Sequence, residues 1–427
     1  MIASTFWFSP APSEVLSSRI SLDFGLRSAD FFFRELVVPE LGRIWFVRQF
    51  SWPLASLALH ESMQRQESNA PKPTAICHGI EALACKLAYQ INPQGPFERI
   101  LGSRAFGRDP EMKVRSFQRL RQPSNYVRNT HRQAATRAIR KDGGLGFATG
   151  TRFDLLDLEP VGRALAEAFL DQRVGQGGTS LRKWLLGWLR DEQELPGWSD
   201  TLTRALVPEH PTSEERELVR SRVLDTRTPE CATRQHLAPA IGRAADLPDI
   251  KSVVVPRLRD AGHRNQADEV IAALAFGAVL DRARDATADL TQAVEPARGG
   301  VPVATLAQDA AIRKALGGLR AAAKNFSSKV SAADITEPTS RAFVDALLGR
   351  DDELQTIRFL VGRVSQVLCL SDDSVYRGAL FRVVDETELL DGIEDGSASI
   401  EPDRTGRTFR IANLHSLLRD VVQRGAA

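Results

Sequence analysis

The chain has 427 residues, 43% of them hydrophobic and 26% charged, a composition that excludes disordered and collagen-like chains and a length that calls for two or three domains. Its 56 Lys and Arg against 54 Asp and Glu leave a net charge of +2, so any attraction to nucleic acid or membrane has to be local. The four cysteines, Cys77, Cys85, Cys231 and Cys369, form no C-x-x-C pair and read as those of a reducing compartment.

The opening MIASTFWFSPAPSE lacks a basic n-region and carries two prolines, against a secretory signal, so the expected location is cytoplasmic. Residues 1 to about 68 crowd Phe31, Phe32, Phe33, Trp45, Phe46, Phe50 and Trp52 at a spacing for helices buried on more than one side. The stretch ELVVPELGRIWFVRQFSWPLASLALH is interrupted by Glu40, Arg43, Arg48 and two prolines. A spanning helix needs about 20 apolar residues, so no membrane partner is expected. QRQESNAPKP (Gln64–Pro73) reads as a connector. TAICHGIEALACKLAYQI then places Ile76, Ile80, Leu83, Ala84 and Leu87 on one face of a core helix.

Between Phe97 and Lys141 the balance shifts to twelve Arg and Lys against three acidic residues, Glu98, Asp109 and Glu111. Pro123 stops what precedes it, and Ser124 or Asn125 suits the cap of a new helix, YVRNTHRQAATRAIRK. That helix would bury Val127, His131, Ala134, Ala135, Ala138 and Ile139. Its opposite ridge would carry Arg128, Arg132, Thr136 and Arg140, each four residues from the next, with Lys141 following. Three guanidinium groups in a row suit phosphates, or guanine edges in a major groove. LGFAT and RFDLLDL then pair as a small ribbon around Gly150-Thr151, with Arg152 near its tip. Pro160 opens a helix burying Val161, Leu165, Ala168 and Phe169.

Beyond a glycine break at GQGG, Ser180 caps LRKWLLGWLRDEQEL, and Thr212 with Glu215 forms a capping box, with Glu214 and Glu215 near that helix dipole's positive end. Helices QADEVIAALAFGAVLDRARDATADL, LAQDAAIRKALGGLRAAAKNF and SRAFVDALLG follow in antiparallel packing, broken near EPARGGVPVA. From Asp351 the pattern reads as two helical stretches, DELQTIRFLVGRVSQVLCL and SVYRGALFRVVDETELL. An acidic loop, DGIEDGSASIEPDRTGR, leads to TFRIANLHSLLRDVV as a short strand entering a docked helix.

A basic helix, a tight ribbon and then LDLEPVGRALAEAF resembles the winged helix-turn-helix fold, in whose bacterial regulators the wing runs into LTPxGRxLxxxF-like sequence. Glu159 stands where a Ser or Thr cap is usual. The resemblance covers residues 100 to 170. It implies that Arg128, Arg132 and Arg140 lie on a recognition helix and Arg152 at the wing. The expected fold is mainly α: a helical multi-domain protein with an embedded winged-helix domain carrying a small β-hairpin. Its parts are an N-terminal helical domain (1–95), the winged-helix-like domain (96–175), a helical domain (176–350) and a C-terminal α/β segment (351–427).

Catalytic and metal motifs are missing from the sequence. Cys77-His78 with Cys85, and Cys231 with His236, match no zinc spacing. LHES is not H-E-x-x-H, and GGLGFATG lacks the G-K-[ST] ending of a phosphate loop. The paired aspartates of SDDSVYRG and GRDDEL fall at caps and helix starts, and His263 falls in a loop. No cofactor and no metal is expected. The expected function is a non-catalytic nucleic-acid-binding or scaffolding subunit of a bacterial DNA-processing or anti-phage defence complex. Its partners would be DNA or RNA together with other proteins or a second copy of itself. Two alternatives stay open: an enzyme whose site is assembled from dispersed carboxylates and histidines, and a pure protein scaffold.

Overall fold

A computed structural model describes residues 22, 24–95, 99–109, 113–174, 178–191, 199–225, 228–295, 299–378 and 408–422. The opening MIASTFWFSPAPSE, most of GQGG, the acidic loop and the second part of SVYRGALFRVVDETELL lie outside the described residues. Helices α1 (Arg27–Val37), α2 (Arg48–Gln64), α3 (Pro73–Ile91), α4 (Ser103–Gly107), α5 (Phe117–Leu120) and α6 (His131–Ala135) precede a ribbon of β1 (Ala148–Thr149) and β2 (Asp157–Leu158). Next come α7 (Pro160–Leu170), α8 (Leu181–Leu189), α9 (Asp200–Leu206), α10 (Ser213–Arg220), α11 (Pro229–Ile241), α12 (Val255–Asp260) and α13 (Arg264–Val294). The remainder is β3 (Val301–Pro302), α14 (Val303–Gln308), α15 (Ala310–Ala332), α16 (Pro338–Leu348), α17 (Glu353–Arg363), β4 (Leu368–Ser371), β5 (Ser374–Arg377) and α18 (Ile411–Val422). The protein is mainly α, with two small sheets among the described residues.

Two compact units result, one from Phe32–Leu274 with Glu386–Ala427, the other from Met1–Phe31 with Ala275–Asp385. The larger unit is organised on α2, which packs against both α3 and α7. Its residues from Arg48 to Leu59 are buried on all sides, as the dense aromatic and small-residue pattern demanded. Burying a side chain the size of Phe50 or Leu54 contributes about 1.5–3 kcal/mol.

Complete burial obliges the polar residues of α2 to find partners inside. The Arg48 guanidinium donates to the carbonyls of Ala205, Val207 (3.2 Å) and His210 (2.6 Å) and lies 3.4 Å from Glu215 Oε2. Ser51 Oγ donates to Glu215 Oε1 at 2.6 Å. Glu215 is the same carboxylate that closes the capping box of α10, accepting from Thr212 N at 2.7 Å. One buried carboxylate therefore caps one helix and bolts it to another. Asp420 of α18, also buried, accepts from Val47 N at 2.8 Å and from Arg99 Nη1 at 2.9 Å, which docks the C-terminal helix. Ahead of that helix Phe409 and Arg410 form a turn, not the expected strand.

Local signals held where they were complete. Ser180 caps α8 by accepting from Lys183 N, and Pro160 stands at the first turn of α7. In α7, Leu165 and Phe169 are buried, while Val161 and Ala168 are half-buried. In the smaller unit LAQDAAIRKALGGLRAAAKNF is two helices, because Asp309 accepts from Ala311 N and Ile312 N and starts α15 afresh. The helix expected over DELQTIRFLVGRVSQVLCL stops at Arg363. Leu368–Ser371 and Ser374–Arg377 instead form an antiparallel hairpin, which β3 extends to the order β3-β5-β4. Asp372 and Asp373 make its turn at φ 47° and 59°, a conformation that aspartate tolerates in two-residue hairpins. Arg358 holds Asp373 at 2.7 Å.

Candidate nucleic-acid interface

The segment after Pro123 departs from the long helix expected of it. Pro123–Asn125 is a single 3-10 turn, and Tyr126–Asn129 is not helical. Only His131–Ala135 is α-helical, and its cap is Thr130, not Ser124 or Asn125. Thr130 Oγ1 accepts from Gln133 N at 3.4 Å, while Glu81 of α3 reaches across to accept from Arg132 N at 2.6 Å. Beyond Ala135 the chain turns back. Thr136 Oγ1 donates to the Arg132 carbonyl (2.7 Å), and the carbonyls of residues 138–140 accept from the N–H groups of Leu145, Gly146, Phe147 and Ala148. With those carbonyls paired to the approaching ribbon, no α-helix can run on past residue 141. The apolar assignment survives the change: Val127, His131, Ala135, Ala138 and Ile139 are buried and Ala134 is half-buried. The ridge of four-residue spacing does not form.

The ribbon is present in miniature. Ala148 pairs with Leu158 and Thr149 with Asp157, antiparallel. Glycine is required at its two ends. A Cβ on Gly162 would stand 1.9 Å from the Phe147 carbonyl, so α7 lies directly on the ribbon backbone. Gly150, at φ 131°, turns the chain where a Cβ would meet the Leu155 carbonyl at 2.5 Å.

The loop from Gly150 to Leu156 is braced from two sides. Asp154 accepts from Thr74 N (2.7 Å) and Thr74 Oγ1 (2.6 Å), satisfying a first-turn N–H of α3. Phe153 is buried beneath the Arg132 guanidinium, whose carbon lies 5.1 Å from the ring centroid. The residues between and beside these anchors, Arg152 and Leu155, stand exposed, Leu155 at 67%.

Arg128 is exposed on the non-helical approach. Arg132 is half-buried with its guanidinium over Phe153, the chain neighbour of Arg152. Thr136 is half-buried with its hydroxyl engaged by the backbone. Arg140 is half-buried where its backbone bridges Ala148. Lys141 is exposed but faces Glu159 Oε1 at 3.4 Å, and that carboxylate also takes the Thr149 hydroxyl. These two hydrogen bonds hold the Glu159 carboxyl below its usual range.

Glu81 escaped the sequence reading. It sits fully buried in the apolar run IEALACKL, where an unpaired-looking carboxylate was the available signal. Burial pushes its carboxyl up to about 7, against the backbone N–H groups at the start of α6 that favour its charge. Cys77 Sγ lies 3.4 Å from it, and burial holds that thiol well above its ordinary range, while Cys85 is pushed up to about 12. Such thiols are not nucleophiles near neutral pH. Burial likewise lowers His131 to about 3 and His78 to about 4, so both are neutral rings, packed against Phe46 and Trp52 and against Tyr126 respectively. Arg222 was also missed. It donates to the Gly146 carbonyl at 2.8 Å and, with Glu159, Ser221 and Asp225, lines a cleft of about 440 Å³ at the foot of the ribbon.

The cysteine and histidine groups are accounted for by packing. His236 stacks on His263 with centroids 3.6 Å apart, and Cys231 is buried. Among the described residues no cluster of three His, Cys, Asp or Glu is placed to hold a metal ion, and no helix is long and apolar enough to cross a membrane. Compared with known proteins, the chain matches no family model, no curated protein and no solved structure.

Proposed function

We propose that this chain binds nucleic acid through the cationic surface between Arg128 and Arg152, as a non-catalytic subunit of a larger DNA-processing assembly. The winged-helix resemblance of residues 100–170 supports the reading, with α6 as a shortened recognition helix and the Gly150–Leu156 loop as the wing. One observation carries it: the loop is fixed by Asp154 on Thr74 and by Phe153 under Arg132, and the fixed loop leaves Arg152 exposed. Among the described residues no carboxylate pairs with Arg140 or Arg152. A loop already fixed in place loses little backbone freedom when its cation meets a phosphate, so more of the attraction appears as affinity. With about four phosphate contacts, binding is weak and salt-sensitive.

The test is fluorescence anisotropy of a labelled duplex of about 30 bp against the full chain and its Arg140→Gln/Arg152→Gln variant. Losing two phosphate contacts makes the slope of log affinity against log salt shallower by about 1.8. Circular dichroism checks that the variant folds. An unchanged affinity and slope would overturn the reading. The exposed Leu155 favours a second one, a protein-docking ribbon, which gains if the double variant binds duplex as well as the parent does.

A further inference from the structure

α15 differs from the other long helices in its charge. Over 23 residues it carries Arg313, Lys314, Arg320, Lys324 and Lys329 and not one carboxylate. Three of the chain's nine lysines are here. Its apolar stripe, Ile312, Leu316, Leu319, Ala323, Phe326 and Val330, is buried, with Phe326 against Phe276 (5.7 Å) and the helix packed on α16. Arg320 is turned inward, donating to Thr356 Oγ1 (2.9 Å) and the Asp352 carbonyl (2.8 Å) and lying 3.4 Å from Glu353. The other four cations are exposed, and among the described residues none of them forms an ion pair.

What separates these cations is equally specific. The exposed positions between them are Gly317, Ala321, Asn325 and Ser328, and a Cβ on Gly317 would meet nothing within 4 Å. The outward face is therefore smooth and cationic, and Arg313 to Lys329 spans about 24 Å at 1.5 Å per residue. A protein interface needs a desolvated centre of aromatic or large aliphatic side chains, and this face has none. A membrane surface would take the apolar stripe, which is already buried in the fold. A phosphate backbone needs only cations and room for close approach.

We infer that the outward face of α15 is a second contact surface for a nucleic-acid backbone, sequence-independent and carried by Arg313, Lys314, Lys324 and Lys329. The ligand class follows from the charges of α15 and does not depend on the ribbon.

The measurement is duplex anisotropy on the full chain between 50 and 200 mM salt, for Lys314→Gln/Lys324→Gln/Lys329→Gln and for the matching triple Lys→Arg variant. All three positions are exposed, so the fold is retained, which circular dichroism checks. Loss of three phosphate contacts makes the salt slope shallower by about 2.7, so over that range the parent loses about 40-fold more affinity than the Gln variant. The Arg variant keeps the parent's slope. A Gln variant with the parent's slope overturns the inference. So does one that keeps duplex binding while losing affinity for polyglutamate, which would assign the surface to an acidic protein. Measured alongside, Arg140→Gln/Arg152→Gln reports on the ribbon alone, so either surface can fail without the other.

Discussion

Arg48 and Arg152 belong to the same compact unit and have opposite fates. Arg48 enters the core from α2, where backbone carbonyls and Glu215 take up its terminal nitrogens, and the Phe169 ring lies 5.1 Å away. Arg152 stands on a loop whose own anchors are Asp154 and Phe153, and its side chain is left to solvent. Arg234 repeats the first pattern, donating to Val223 O, Pro39 O and Glu40. An arginine in an arginine-rich chain is thus a structural bolt or a free cation according to the acceptors around it, and only the second kind can meet a phosphate.

The largest effect is expected at Arg48. Its replacement by Met leaves Glu215 buried without its cation, which costs about 3–5 kcal/mol. Urea unfolding should show the loss as a lower midpoint with an unchanged slope. A loss no larger than that of a surface arginine would deny that Arg48 is a bolt.

Glu81, which holds the start of α6, makes the stability of the fold depend on pH. Its folded pKa, about 7, lies above the ordinary 4.5, so between those values the folded state keeps a proton that the unfolded chain releases. The stabilisation is fully present below about pH 4.5 and is lost as pH rises through about 7, at most about 3 kcal/mol. His78 and His131 work the other way: their lowered folded pKa values make the fold lose stability as pH falls below 6.5. The difference between parent and Glu81→Gln isolates the carboxylate. That difference should move in favour of Gln from pH 4.5 to 7, and a constant difference would contradict the assignment.

The smallest effect expected is at Asp154. Asp154→Ala removes two hydrogen bonds to Thr74 and should lower stability by about 1 kcal/mol. It also frees the loop, so duplex affinity should fall although a negative charge has been removed. A rise in affinity would show that charge, not bracing, governs Arg152.

Much of the fold was legible where a signal was local. The capping box at Thr212 and Glu215 and the Ser180 cap satisfy backbone groups within three residues, Pro160 at the head of α7 has no N–H to satisfy, and the ribbon pairs residues about ten apart. The candidate site was legible in composition but not in geometry. Arg128, Arg132, Thr136 and Arg140 have helical spacing, yet only His131–Ala135 is helical, and the backbone of residues 138–140 pairs with residues 145–148 instead. The hairpin of β4 and β5 was hidden for a similar reason, since its third strand comes from Val301–Pro302.

Caps, prolines and periodicity act over one turn, so the chain alone carried the helical class, the helix starts at Pro160, Ser180 and Thr212 and the crowding of cations after Phe97. Tertiary structure alone decided which cations are spent inside and which face water. Whether an N–H or a guanidinium is satisfied depends on acceptors brought from distant parts of the chain, as Glu81 is to Arg132 and Glu215 to Arg48.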